Sequence, residues 1–375
     1  MDRHYLTSLL EPASVVVFAG SPAARANDPA YADAALLHEA ITSAQYSGRI
    51  TFMDIDTTEG RLADLVHTGA DLAIVALPHD KITTALELAG RINCKAALVI
   101  ANGIDAKQAQ HLHHVARQHG MWMIGPNGRG FQRPRQGLNA STLGPLVKPG
   151  ALALVSQSGV LTASIIDWAQ QNRVGFSSVI TLGQHSAVGL AHALDFLAND
   201  PHTQSIVVHL EGIPDARHFM SALRVAANSK PLVVLKAGRS EDGRSAALTH
   251  SAAMVGSDEV FDAALRRGGA VRIRSFSELF SAVQCMATRY QPVGNRLGII
   301  TNGGGPGVLA ADRAADLGLQ LGRLGAERAQ ELQAQVLPKA ALGDLINLTE
   351  DATPEHFAAA LAAAARDPGI DGILV

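Results

Sequence analysis

LALVSQSGVLTASIIDWA, residues 152–169, carries the fold in miniature. Leu152–Val155 is aliphatic and reads as a strand buried on both faces. Ser156-Gln157-Ser158-Gly159 follows without a charge, and an apolar helical pattern begins at once. A strand that runs straight into a helix is half of a βαβ unit, which points to a parallel sheet. The turn also has chemistry. A helix start attracts anions, and Ser156, Ser158 and Gly159 could cradle a phosphate there. Serine is equally a favoured N-cap, so the turn read alone leaves both roles open.

The same strand pattern recurs at Val15–Ala19, Leu72–Leu77, Ala97–Ile100, Ser205–Leu210, Leu232–Leu235, Leu297–Thr301 and Gly372–Val375. The segments between these runs have room for crossover helices, which specifies an α/β chain of doubly wound parallel sheets. The alternation restarts twice. One unit covers residues 1–131 and closes in IGPNGRGF, 124–131. RPRQGLNASTLGPLVKPG, 133–150, reads as a link containing Pro and Gly. A second unit covers 150–290, and QPVGN, 291–295, leads into a third over 296–375. The third closes on a helical TPEHFAAALAAAARD and a strand-like GIDGILV. A parallel strand normally feeds a further loop and helix. The third unit therefore reads as incomplete, and the chain as part of a longer protein.

Composition narrows the class. With 375 residues, 47% hydrophobic, the chain can bury a sizeable core in two or three domains. Charged residues make up 17% and the formal net charge is -3, which argues against nucleic acid or an anionic membrane as the main partner. Cys94 and Cys285 stand far apart without metal-ligand spacing, so neither a disulfide framework nor a metal site is expected. The N-terminus lacks the apolar core of a signal peptide, and no stretch is apolar for long enough to span a bilayer. A cytoplasmic protein in a reducing compartment is expected.

Two further strand–turn–helix junctions carry small residues. Gly20 and Ser21 follow the first strand, but there is no other glycine before Gly48, so phosphate binding and a plain tight turn are equally open. The missing glycines also exclude the fingerprint of a nicotinamide dehydrogenase. Gly303-Gly304-Gly305-Pro306-Gly307 follows Leu297–Thr301. Consecutive glycines cost conformational entropy, which a chain accepts where its backbone must approach something closely. This is the strongest phosphate-loop signal, and it is not a Walker A motif because no Gly-Lys-Ser/Thr follows. His250 sits in ALTHSAAMVGSD, 247–258, among small residues that leave an imidazole accessible. A neutral imidazole is a competent nucleophile toward phosphorus and needs a group to fix its tautomer. Glu211 in VVHLEGIPD, at the end of a strand, is a candidate for that group. Read by spacing alone, His250 and Glu211 remain as compatible with ordinary surface positions.

GPNGRG (125–130), LALVSQSGVLTASIIDWA, HLEGIPDARHF, KPLVVLKAGRS, THSAAMVGSDEVFDAAL and ITNGGGPGVLAADRAADLGL occur in this order along essentially the whole chain. Together they resemble the NDP-forming acyl-CoA synthetases (ADP-forming acetate–CoA ligases), a superfamily that includes the succinyl-CoA synthetase α chain. QGLNAS (136–141) and DWAQQ (167–171) are similar to the synthetase-like region of bacterial protein lysine acetyltransferases. The resemblance implies a Rossmann-like CoA-binding domain over 1–131, a flavodoxin-like ligase domain with a phosphohistidine over 150–290, and a second flavodoxin-like ligase domain over 296–375. It implies that His250 is the phosphorylated histidine and Glu211 its orienting carboxylate. Ser156, Ser158 and Gly159 would form one phosphate-binding helix start, and Gly303, Gly304, Gly305 and Gly307 the other. Gly20, Ser21, Pro78, Asn102, Pro126 and Asn127 fall where CoA is contacted.

The implied reaction interconverts a short-chain acid, CoA and ATP with acyl-CoA, ADP and phosphate. The implied cofactors are coenzyme A and ATP/ADP with Mg²⁺. The nucleotide would be handled by an ATP-grasp module outside this chain, on further sequence or a partner subunit, in an oligomer. A GNAT domain follows in the acetyltransferase relatives. Several positions depart from the family pattern. GSPAARANDPAYADAAL, 20–36, lacks a later glycine, GPN is followed by Gly-Arg-Gly, and His-Thr-Gly becomes His-Ser-Ala at 250–252. LINLTEDA, 345–352, has Ile346-Asn347-Leu348 where Asn-Pro-Val-Asp-Leu is usual, and so loses the aspartate. Retained His250 and Glu211 favour a working synthetase. The departures favour a regulatory module that binds CoA or acetyl-CoA without turnover.

Overall fold

The computed structural model describes residues 4–55, 69–243, 245–246, 257–287 and 293–375. They form three sheets in two compact units, Met1–Thr288 and Arg289–Val375. In each sheet the first long aliphatic strand sits inside and later strands add on both sides. That arrangement decides where ligands can bind.

The first sheet has the order β2-β1-β3-β4-β5, from Arg49–Met53, Ser14–Phe18, Leu72–Val75, Ala96–Val99 and Trp122–Ile124. Its pairings are all parallel. The second has seven strands. Pro149–Ser156 (β8), Phe176–Thr181 (β9), Ser205–Leu210 (β10), Leu232–Lys236 (β11) and Val271–Ile273 (β12) run parallel in the spatial order β12-β11-β10-β8-β9. Both sheets thus follow the flavodoxin-like order 2-1-3-4-5. The third sheet, in the second unit, centres on Arg296–Thr301 (β13). Gln320–Leu321 (β14), Ile346–Asn347 (β16) and Gly372–Leu374 (β17) pair with it in parallel, and Ala341–Leu342 (β15) adds antiparallel to β16.

One expectation fails. The stretch 133–150 is not a link. Gly130–Arg133 (β6) and Leu138–Ser141 (β7) form an antiparallel hairpin that extends the second sheet beyond β9. Its polar residues are buried because they satisfy one another. Gln132 Nε2 donates to Ser141 Oγ at 3.1 Å, Ser141 Oγ donates to Asn139 Oδ1 at 2.7 Å, and Gln132 Oε1 accepts from Val147 N at 3.0 Å. A buried polar group that is paired costs little, whereas an unpaired one does not fold inside.

Period-two alternation explains the second sheet's core. Ala153 and Val155 face one cluster, which continues into the first sheet, and Leu152 and Leu154 face another under the helices Gly159–Gln171 and Phe276–Ala287. Phe18, Phe131 and Phe176 are fully buried, each contributing on the order of 1.5–3 kcal/mol over an exposed ring. The second unit has its own core, which includes Ile300, Leu332, Leu348, Ala360 and Ala364. Among the described residues no helix is long and apolar enough to cross a membrane.

Candidate functional site

In an open α/β sheet the crevice lies beyond the carboxyl ends of the strands where the order reverses. In the second sheet that point falls between β8 and β10, which are direct neighbours. Ser156 ends β8, and Glu211 follows β10 directly. Gln157 clips the two ends together. Its Oε1 accepts from the backbone N–H of Glu211 at 2.6 Å and of Gly212 at 3.1 Å, and its Nε2 donates to Gly212 O at 3.0 Å. Ser158 caps the helix Gly159–Gln171, its Oγ accepting from Leu161 N at 3.4 Å. The structure thus brings Ser156, Ser158, Gly159 and Glu211 to one edge. Gln157, which sequence reasoning passed over, is the residue that fixes them.

Ser156 itself points inward. Its hydroxyl accepts from Ser158 N at 3.1 Å, donates to Ser158 O at 3.0 Å, and lies 3.2 Å from His209 Nδ1. It shapes the turn and presents no free donor. His209, on β10, is 2% exposed, and burial pushes its imidazole down to about 4, so the ring beneath the turn is neutral near pH 7. Arg129 stands over the same helix start, close enough that a Cβ on Gly159 would lie 2.7 Å from its Cγ.

The second unit repeats the turn. Gly303 precedes the helix Gly304–Asp316, and Thr301 ends β13. Thr301 Oγ1 accepts from Gly303 N at 3.1 Å and donates to Gly303 O at 2.9 Å, as Ser156 does with Ser158. A Cβ on Gly305 would meet nothing within 4 Å, and one on Gly304 only Asn347 Nδ2 at 3.7 Å. Among the described residues, no side chain or other element requires glycine at 304 or 305. Gly307 differs, since a Cβ there would press on Thr301 and Leu345 at 3.0 and 3.1 Å.

The first sheet reverses between β1 and β3. Gly20, Ser21, Pro78 and Asn102 all lie just past strand ends on this edge. Gly20 has φ +68°, and a Cβ there would sit 2.4 Å from the Tyr31 ring, so the chain's own packing accounts for this glycine. Ser21 caps the short helix Pro22–Asn27. Asn102 Nδ2 donates to Asp33 at 3.1 Å, and its carbonyl lies 2.8 Å from His79 Nε2. Asn127 is fully engaged: its Oδ1 accepts from Ile104 N at 3.0 Å, and its Nδ2 donates to Ile104 O and Gln184 O at 2.8 and 3.3 Å. Pro126 is packed against Gly183. Asn127 and Pro126 thus join the first sheet to the second.

A cavity of about 740 Å³ opens between these two sheets, reaching from the helix Ala106–Gln118 to Gln157 and Glu211. Sequence reasoning named only Glu211 among its walls. His113, His192 and His218 also line it. His113 Nε2 is buried with no hydrogen-bond partner among the described residues, a condition that costs about 1–3 kcal/mol unless a ligand or water meets it. Burial lowers the His113 pKa, and the ring rests against the backbone of His185 and Gly125. The rings of His192 and His218 meet edge to face at 4.7 Å. Burial, then the charge of His218, lowers the His192 pKa, and its Nδ1 accepts from Gly189 N–H at 3.3 Å. The neutral ring therefore carries its proton on Nε2. The size and mixed wall of this cavity fit an organic substrate. His250 lies outside the described residues. The chain leaves β11, the neighbour of β10, at Lys236 and re-enters the described region at Ser257.

Known proteins share this framework. Residues 149–286 match the succinyl-CoA ligase-like flavodoxin domain family. The chain is 33% identical over 310 residues to the ADP-forming acetate–CoA ligase I of Archaeoglobus fulgidus, covering 81% of this chain and 45% of that protein. It is 31% identical to the α subunit of the ADP-forming acetate–CoA ligase II of Pyrococcus furiosus, covering 80% of this chain and 67% of the subunit. The chain thus spans about half the length of the first relative and two thirds of the second. Among solved structures, a dinucleotide-forming acetyl-coenzyme A synthetase 1 of Ca. Korarchaeum cryptofilum, in complex with phosphate and ADP, superposes with a TM-score of 0.89 at 28% identity, covering 98% of this chain and 81% of the other. From the sheet order, the two hydroxyl-bracketed turns and these relatives together, the chain belongs to the ADP-forming acetate–CoA ligase family.

Proposed function

We propose that this chain is the acyl-transfer part of an ADP-forming acyl-CoA ligase, which interconverts a carboxylic acid, CoA and ATP with acyl-CoA, ADP and phosphate. The observation that carries this reading is the junction at β8 and β10. It sets a capped helix start, ready for an anion, beside Glu211, whose backbone N–H is held by Gln157. CoA supplies the thiol that exchanges with phosphate at the acyl carbon, and ATP/ADP with Mg²⁺ supplies or takes the phosphoryl group at a module on further sequence or a partner subunit.

The chain's own residues divide the remaining work. Ser158 and Gly159 hold phosphate at the start of the helix Gly159–Gln171. His250 attacks the phosphorus of an acyl phosphate through one ring nitrogen, and the carboxylate departs as the P–O bond to it breaks. Glu211 takes the hydrogen bond of the other ring nitrogen and stabilises the charge that the ring gains. Gly303, Gly304 and Gly305 form a second helix start of the same kind in the second unit, suited to a phosphoryl group. Gly20, Ser21, Pro78 and Asn102 offer a sheet edge for CoA, while Pro126 and Asn127 hold that edge to the second sheet. The relatives are ligases, which favours this reading over a purely regulatory module.

Incubating the chain with acetyl-CoA and radiolabelled phosphate tests it. Acid-labile, base-stable label should appear on the wild type, vanish in His250→Ala and fall by about 10²-fold or more in Glu211→Gln. Label that survives His250→Ala overturns the assignment. CoA binding without any label would instead identify a regulatory module.

A further inference from the structure

GPNGRG, 125–130, departs from the family pattern at Arg129, and the structure shows where that side chain goes. The glycines on either side are fixed by backbone. A Cβ on Gly128 would lie 3.0 Å from Thr181 O, and one on Gly130 2.0 Å from Ala140 O. Arg129 itself is pinned between them, its N–H donating to Thr181 Oγ1 at 2.9 Å and its carbonyl accepting from Thr142 N at 3.0 Å. From this fixed point the half-buried side chain lies across the first residue of the helix Gly159–Gln171. Its Cγ, Cδ and Nε are 2.7, 3.4 and 3.3 Å from the place a Cβ on Gly159 would take. Glycine at 159 therefore makes room for the arginine.

Two positive potentials coincide here. The N–H groups of Gly159 and Val160, the first two helical residues, have no carbonyl four residues back within the helix, so this end carries about half a positive charge. Acidic groups are favoured at such an end and basic ones at the opposite end. Arg129 adds a full positive charge, and among the described residues its guanidinium makes no hydrogen bond and no ion pair. Two other arginines of the same unit are paired: Arg133 with Glu11 and Asp200, and Arg272 with Asp258 and Asp262. Val160 is 72% exposed, so this helix start is open to solvent. A guanidinium without a counter-charge against the positive end of a helix is unfavourable until an anion with several oxygens joins them.

We infer that Arg129 binds the phosphoryl group at this helix start, its forked N–H groups and the N–H groups of Gly159 and Val160 sharing the non-bridging oxygens. The inference rests on the ligase reading and adds a binding residue to it. When His250 bonds to phosphorus, the P–O bond to the carboxylate breaks and its electron pair leaves with the carboxylate. Arg129 gives up no proton in this step. It offsets the charge on the oxygens that stay with phosphorus.

Calorimetric titration of the full chain with inorganic phosphate tests the inference. Phosphate should bind Arg129→Gln about tenfold or more weakly than wild type, with Arg129→Lys in between. In phosphate-free buffer the urea midpoint of Arg129→Gln should equal or exceed that of wild type, because a cation leaves the positive end of a helix. Added phosphate should then raise the wild-type midpoint more than that of the variant. Equal phosphate affinity in the two proteins, or none in either, overturns the inference. A lower Arg129→Gln midpoint without phosphate makes the arginine a structural one and overturns it as well. Displacement of phosphate by adenosine 3′,5′-bisphosphate would assign the arginine to CoA instead. Full His250 labelling in Arg129→Gln removes Arg129 from the reaction and leaves the ligase reading standing. Arg129-dependent phosphate binding without labelling of the wild type removes the ligase reading and keeps the anion site.

Discussion

His209 shows how one residue senses solvent conditions from inside a sheet. Burial holds its pKa at about 4, against 6.5 for an ordinary imidazole. Between those values the unfolded chain takes up a proton that the native state refuses. The native state is therefore most favoured above about pH 6.5 and loses up to about 3 kcal/mol from this group as pH falls toward 4. Urea midpoints at about pH 7.5 and about pH 5 should drop further for the wild type than for His209→Asn, which has no proton to gain. Equal drops would place the acid sensitivity elsewhere. His209 was in plain view two residues before Glu211, yet its role was not legible. A strand pattern does not say which turn packs over a given side chain. Gln157 was hidden for the same reason, since its amide acts on residues 54 and 55 positions away.

Elements divide by what their burial depends on. The eight strands expected from aliphatic runs all form; runs such as β3, β4 and β11 are buried by their own hydrophobicity, while β17 leaves Leu374 45% exposed. The strands that escaped are different. β9, FSSVIT, carries two buried serines, and β2, RITFM, is an edge strand with Arg49 exposed. In the hairpin β6–β7 the polar side chains solve their burial through partners distant in sequence. Two glycines, one in the turn of that hairpin and one just past β7, give a further prediction. Gly137 and Gly144 both have positive φ, but only at Gly137 would a Cβ strike backbone, 2.1 Å from Gln45 O. Gly144→Ala should cost about 1–2 kcal/mol from backbone strain alone. Gly137→Ala should cost clearly more, read from the same denaturation curves. Equal costs would mean that the hairpin does not press on residue 45.

At the scale of the molecule, Arg133 ties the first sheet's flank to the second. Its side chain is 3% exposed and reaches both Glu11 and Asp200, the latter at 2.8 Å with a side chain that is 0% exposed. Burial pushes the Asp200 pKa up, but the hydrogen bond and charge of Arg133 and the Thr203 hydroxyl outweigh it and hold the carboxyl below its usual value. Arg133→Met strands that carboxylate in the interior, and a loss of about 3–5 kcal/mol in unfolding free energy is expected. A loss under about 1 kcal/mol would show that solvent reaches Asp200 in the native state.

Backbone meets backbone at Gly183 and Gly128. A Cβ on Gly183 would lie 2.1 Å from Pro126 O and 2.3 Å from Gly128 N. Around this crossing, Gly125 N–H donates to Ser186 Oγ at 2.9 Å, Val188 N–H to Met123 O at 2.9 Å, and Arg129 N–H to Thr181 Oγ1 at 2.9 Å. Such a joint behaves as a weld, with no slack for one sheet to swing like a jaw against the other. Whatever enters the space between them must thread through a fixed doorway, and discrimination among visitors then rests on the rigid shape of that doorway.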